Sequence, residues 1–249
     1  MTNKAIDIHT HFGPWRLSDI VKYQFNGEFY KYFDMANEVG IEKTVIFKVK
    51  EGDNKSVLDY VKKNNDSLLF SYWIDVDNSK ILDELEYYEN HMVSLKFHPT
   101  FEKTRVTDEK LNPIWKWAQD RNMPLLVHCG QWQEFSGYKL PIELASKFSF
   151  PIVLFHMAGG GNSVTQGKAI EYLKNNKILS NVFIETSSCF QPWLIERAVE
   201  ALDSKHVVFG SDFPSQDPRM ALSCVTKSNL PNKSKQRILY DNAKKILKL

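Results

Sequence analysis

The chain has 249 residues, 43% of them hydrophobic and 25% charged, and its 32 basic and 30 acidic side chains leave a net charge of +2. A chain of this length buries roughly 70% or more of its unfolded surface without staples, and so even a charge balance excludes an electrostatic case for nucleic acid or an anionic membrane as partner. The three cysteines, Cys129, Cys189 and Cys224, form no pair at short spacing, and no run reaches the roughly 18 apolar residues of a membrane span, so the expected setting is the reducing cytoplasm.

In chain order, the first strand pattern is Ala5–His11, which carries His9 and His11 two residues apart. Side chains at that spacing share a strand face, about 6.6 Å apart along it, so two imidazoles can converge on one metal ion. Further strands are expected at Lys43–Val49, Leu68–Asp75, Val93–His98, Pro124–His128, Pro151–His156, Asn181–Thr186 and Val207–Ser211. Helical patterns lie between them near 28–39, 54–65, 80–90, 111–121, 140–148, 167–176, 191–203 and 218–228, and a last one near 233–248 closes the chain. Gly40 stands where a helix C-terminus calls for glycine, Pro124 and Pro151 open strands, and Pro113 and Pro192 fall in first helical turns. Runs such as Thr44-Val45-Ile46-Phe47 and Ile152-Val153-Leu154-Phe155 are apolar without alternation, as in parallel strands covered on both faces.

No linker or low-complexity tract divides the chain, so residues 1–249 read as one domain. Eight strands each followed by a helix predict a (β/α)8 TIM barrel. An open doubly wound sheet is the alternative, but it would show a Gly-rich phosphate loop after its first strand, where this chain reads Phe12-Gly13-Pro14-Trp15.

Function in such a barrel collects at the C-terminal strand ends. Five of the seven histidines fall there (His9, His11, His98, His128 and His156), and so does Asp212. Imidazoles with one carboxylate suit a catalytic divalent ion with a position left for water. The water's pKa then falls towards about 7, and Asp212 is the best-placed base to take its proton.

These motifs resemble the amidohydrolase superfamily, within it the group that includes aminocarboxymuconate-semialdehyde decarboxylase. The resemblance runs through Asp7-Ile8-His9-Thr10-His11, Leu95-Lys96-Phe97-His98-Pro99, Leu126-Val127-His128-Cys129-Gly130, Phe155-His156-Met157-Ala158-Gly159-Gly160, Phe209-Gly210-Ser211-Asp212-Phe213-Pro214 and the closing Asn242-Ala243-Lys244-Lys245-Ile246-Leu247. It implies His9, His11, His128 and Asp212 as metal ligands and His156 as an acid/base or substrate-polarising residue. In many members a modified lysine or a glutamate ends strand four and bridges two metals. Here that end carries His98, with Lys96 two residues earlier, so a single divalent ion per chain is expected, zinc first and manganese second. Pairing into a homodimer is also implied.

Around this centre, Asp7 is expected on the face of His9 and His11 but deeper, orienting them. Lys96 and His98 are expected to face substrate or support the ligands, or, for Lys96 alone, to be an ion-pair partner in the barrel interior. Glu185, beside Thr186, Ser187 and Ser188, is a candidate substrate contact. Trp15 and Trp132 follow strands one and five as candidate pocket walls. Arg16, Arg105 and Arg219 are candidate forks for a substrate carboxylate. Gly159-Gly160-Gly161 lacks the Lys-Ser/Thr of a nucleotide loop and is expected to let backbone approach the pocket.

The leading expectation is a metal-dependent hydrolase of a small ester, lactone or amide. The alternative is non-oxidative decarboxylation of an unsaturated or aromatic acid, which the same ligands serve. A barrel that binds a small molecule without turning it over stands third.

Overall fold

Apolar strand runs spaced by amphipathic helices give one eight-stranded parallel sheet with neighbours in chain order. The computed structural model describes residues 4–13, 15–16, 24–25, 29–64, 67–130 and 133–249, without the side chains of 15, 16, 24, 25, 30 and 133. The strands are β1 (Ala5–Phe12), β2 (Ile41–Lys48), β3 (Leu68–Trp73), β4 (Met92–Phe97), β5 (Leu125–Val127), β6 (Ile152–Leu154), β7 (Val182–Glu185) and β8 (Val207–Val208). The main helices are α1 (Phe29–Val39), α2 (Asn54–Lys63), α3 (Ile81–Tyr88), α4 (Asn112–Arg121), α5 (Lys139–Lys147), α6 (Ser163–Asn175), α7 (Pro192–Leu202) and α8 (Pro218–Thr226). A two-residue ribbon, Trp15–Arg16 against Gln24–Phe25, follows β1.

The sheet closes between β1 and the segment after β8. Ile8 N–H donates to Phe209 O (3.3 Å), Asp212 N–H to His9 O (2.8 Å) and His11 N–H to Phe213 O (2.8 Å), and Thr10 bridges Phe213 in parallel sense. This is the expected (β/α)8 barrel, and the doubly wound sheet is excluded by the closure. Strand eight, expected over Val207–Ser211, is regular only at Val207–Val208, because the chain beyond bends to carry Asp212 at φ 62°.

Two cores follow from the alternation of the strands. Ile6, Ile8, Val45, Phe47, Trp73 and Phe155 belong to the inner cluster, onto which the closing helix packs Ala243, Ile246 and Leu247. Ala5, Ile46, Leu95 and Phe97 belong to the outer cluster with the helices. The pairing of β1 with β2 slips between Asp7 and Thr10. The slip allows Ile8 and His9, consecutive residues, both to meet inner-cluster side chains. No described helix is long and apolar enough to cross a membrane.

Candidate metal centre and pocket

β1, β7 and the segment after β8 bring their side chains together above the inner cluster. His9 Nε2 lies 3.0 Å and His11 Nε2 3.2 Å from the same oxygen, Asp212 Oδ1. His9, His11 and Asp212 are buried and present one ligand atom each within 4.8 Å of one another. His9 is stacked on Phe155 at 3.8 Å, and His11 meets Phe47 edge-on. Burial holds His9 and His11 below the ordinary imidazole pKa, which leaves them neutral, the form that binds metal.

Glu185, fully buried, lies beneath them. Its Oε2 is 3.2 Å from His9 Nδ1 and accepts from His156 N–H (3.1 Å) and Ser187 Oγ–H (2.8 Å), while Oε1 accepts from Ser187 N–H. Burial pushes its carboxyl up to about 8. Gly210 makes room for it: a Cβ there would overlap the Glu185 carboxylate and come within 2.8 Å of His9 Cβ.

This geometry fits a cation. When His9 Nδ1–H donates to Glu185, Nε2 is left with a lone pair facing Asp212 Oδ1 at 3.0 Å, and His9 Nε2 has no hydrogen-bond partner among the described residues. Two electron-rich buried atoms in contact need a positive charge between them. Two imidazoles and a carboxylate are a donor set for a divalent transition metal.

His128 is placed one step away from that trio. Its Nδ1 lies 3.0 Å from His156 Nε2, and its ring stacks on His98 at 3.8 Å. His156 Nδ1 in turn lies 2.9 Å from Ser187 Oγ and 3.1 Å from Ser188 Oγ, and burial lowers its pKa to about 4. His156, Met157 and Ala158 all adopt positive φ (58°, 51° and 62°). Three consecutive non-glycine residues in the left-handed region are costly; such strain gathers at functional sites. Gln166 Nε2 ties the turn down by donating to Gly160 O (2.6 Å), Ser188 O (3.1 Å) and His156 O (3.3 Å).

A cavity of about 360 Å³ opens above these groups, lined by His11, His98, Thr100, Phe101, His128, His156, Gly160, Gly161, Ser188, Asp212 and Ser215. Its side wall is a column of flat rings: His128 on His98 (3.8 Å, 16°), His98 on Phe101 (3.9 Å, 17°), and Trp73 behind His98 (5.8 Å, 21°).

Three expectations need correcting. Glu185 is not a substrate contact: it is fully buried, absent from the cavity wall, and engaged by His9, Ser187 and the His156 backbone. Asp7 does not share the inner face with His9 and His11. The register slip turns it towards α1, where it accepts from Tyr32 Oη–H (2.8 Å), Ser211 N–H (2.9 Å), Ser211 Oγ–H (2.6 Å) and His9 N–H (3.1 Å). It therefore holds the backbone of both ligand segments rather than a ring. Lys96 does not line the cavity. It lies fully buried with Nζ 3.8 Å from the Phe155 ring centroid and 4.7 Å from that of Phe47, and burial lowers its pKa to about 7.

Two of the three arginine candidates are engaged elsewhere. Arg105 donates to Glu134 O (3.0 Å), and Arg219 pairs with Asp217 (2.7 Å) and Glu38 (3.0 Å). Trp132 and the side chains of Trp15 and Arg16 lie outside the described residues. Tyr32, Phe101, Thr100 and Gln166 escaped the sequence reading. Tyr32 and Gln166 look like ordinary helix residues, and Thr100 and Phe101 follow His98-Pro99 with no pattern to mark them.

The amidohydrolase family model matches residues 6–249, and the chain belongs to that family. No curated protein sequence matches it significantly. Among solved structures it is similar to 2,6-dihydroxybenzoate decarboxylase from Rhizobium (13% identity, 99% of each chain covered, TM-score 0.79). It is similar also to a protein proposed as a 2-pyrone-4,6-dicarboxylic acid hydrolase from Pseudomonas putida (12% identity, 100% of this chain and 98% of that one, TM-score 0.78). A third is a dihydroxybenzoic acid decarboxylase from a Polaromonas species with bound manganese and 2-nitroresorcinol (14% identity, 99% of this chain and 97% of that one, TM-score 0.77). At these identities the likeness is one of fold.

Proposed function

We propose that the chain is a metal-dependent, non-oxidative decarboxylase of a small planar carboxylic acid, in preference to the hydrolase that the motifs first suggest. The observation that carries this reading is the column of rings formed by His128, His98 and Phe101 beside Asp212 and His156. A flat aromatic acid can stack on it with its carboxylate turned towards the ligands. The decarboxylases among the solved structures of this fold act on such acids.

In this reading His9, His11, His128 and Asp212 hold one divalent ion, zinc by donor set or manganese as in the Polaromonas neighbour. The ion supplies a Lewis acid for the substrate's oxygens. Asp212 Oδ1 faces Nε2 of both imidazoles, at 3.0 and 3.2 Å, and would share the ion with them. His156 is the proton carrier. Neutral in the unliganded protein, it gains proton affinity when an anionic substrate enters the cavity. The imidazolium then passes the proton to the carbon bearing the carboxylate. The bond to the carboxylate carbon breaks with its electron pair staying in the ring system, and carbon dioxide leaves.

Hydrolysis is kept as the second reading for one reason: none of the described lining residues is a lysine or arginine that would hold a substrate carboxylate. The test is incubation of zinc- or manganese-loaded protein in D2O with hydroxybenzoates, 2,6-dihydroxybenzoate first, and in parallel with lactones and esters. Loss of carbon dioxide with deuterium at the vacated carbon supports the proposal. Addition of water to a lactone or ester, with no acid decarboxylated, replaces it with the hydrolase. Metal-replete protein inert to every class points to a binding barrel.

A further inference from the structure

The Glu185 carboxylate touches both His9 and the group that reaches His156, and donor directions can be followed outward from it. Ser187 Oγ–H donates to Glu185 Oε2 (2.8 Å), so the remaining lone pair of Ser187 Oγ faces His156 Nδ1 at 2.9 Å and accepts from it. With its proton on Nδ1, His156 presents an Nε2 lone pair to His128 Nδ1 at 3.0 Å. His128 must then carry its proton on Nδ1 and keep Nε2 bare. On the second branch, His9 Nδ1–H points at Glu185 Oε2 (3.2 Å), with Ser187 Oγ also at 3.2 Å, and again Nε2 is bare.

We infer that Glu185 is a positioning residue at the root of a branched hydrogen-bond chain that sets the tautomers of His9, His156 and His128, leaving Nε2 of His9 and of His128 free to bind metal. Three observations support this direction of the chain. The backbone N–H groups of His156 and Ser187 can only donate, so both Glu185 oxygens are fixed as acceptors and orient the groups around them. Glu185 is fully buried, already accepts two backbone N–H groups, and stays in place only because residue 210 has no Cβ. The reverse direction, started by Ser188 Oγ–H donating to His156 Nδ1 (3.1 Å), would put the His128 proton on Nε2 and block that nitrogen. Ser187 and Ser188 thus compete for one ring nitrogen with opposite consequences, and Glu185 decides for Ser187.

The inference rests on the proposed metal centre but not on any reaction. It is tested on 15N-histidine-labelled protein, metal-free and with zinc, by long-range 1H–15N correlation, and by calorimetric zinc titration. Wild-type His9, His156 and His128 are expected as single tautomers with the proton on Nδ1. Ser187→Ala cuts the branch to His156 but leaves Glu185 on His9. Ser188 then donates to His156 Nδ1, and His156 moves to the Nε2–H form while His9 does not change. Glu185→Gln disturbs both branches and weakens zinc binding by about 10–100-fold, the usual effect of removing a partner of a ligating imidazole. A wild-type His156 protonated on Nε2, or a His156 tautomer that Ser187→Ala leaves in place, overturns the inference. If wild-type protein takes up no zinc, the metal centre fails, and the metal-free tautomers still decide the chain on their own.

Discussion

Lys96 sits in the barrel with its Nζ between two phenylalanine rings and no hydrogen-bond partner among the described residues. Burial brings its pKa from 10.5 down to about 7, so between those values the unfolded chain holds a proton that the folded one has released. Stability attributable to this group therefore rises with pH across that window, and the full cost of burying the charge is present at and below pH 7. Lys96→Met is expected to stabilise the metal-free protein by about 1–4 kcal/mol at pH 6, with the gain shrinking as pH climbs towards 10. Urea denaturation of both proteins at the two pH values measures it, and an equal gain at both would sink the account. His156→Asn is expected to keep bound metal, measured by elemental analysis, while kcat drops about 10²–10⁴-fold, the usual worth of a positioned acid–base group. His9, His11 and Asp212, which the fold brings together, were legible because histidine and aspartate are rare at strand ends. The direction of Asp7 was not, since a one-residue slip reverses every side chain after it and nothing in Asp7-Ile8-His9 announces the slip.

Among the elements, the turn after β6 is under the tightest constraint. A Cβ on Gly159 would overlap the Gln166 backbone nitrogen and lie 2.6 Å from its Cα, whereas one on Gly161 meets nothing within 4 Å. Helix backbone cannot step aside as a side-chain tip can. Gly159→Ala is therefore expected to cost about 3 kcal/mol or more and to displace His156, while Gly161→Ala stays within about 0.5 kcal/mol of the parent. Thermal melts of the pair provide the comparison, and similar melting temperatures would contradict it. The strands were readable from apolar runs, and helix starts with proline in the first turn, at Pro113 and Pro192, were readable too. α6 begins at Ser163 rather than 167 because Asn162 caps it by accepting from Val164 and Thr165 N–H; Gly167 inside the first turns hid that start. The closing helix, expected as one piece near 233–248, carries a π turn at Arg237–Asp241, for which side-chain periodicity has no marker.

For the molecule as a whole, the metal centre and the closure of the barrel are the same place. Three closing backbone hydrogen bonds run between Ile8, His9, His11 on one side and Phe209, Asp212, Phe213 on the other. Two of the donors of the proposed ion are on β1 and a third lies across the seam. An ion shared by both edges therefore works as a clasp, whereas the β4–β5 and β5–β6 pairings need no such help. An ion that binds only the folded state adds about 2.7 kcal/mol at a hundred times its dissociation constant, and that energy is delivered at the seam. Removing metal with a chelator is expected to lower the melting temperature and to release amide protection at His11 and Asp212, whose N–H groups make the two shortest closing bonds. Protection at Leu125 and Ile152, on strands away from the seam, should change little. Hydrogen exchange with and without zinc reads this residue by residue. A uniform loss across the barrel would mean that the ion stabilises the fold globally and leaves the seam no weaker than any other strand pair.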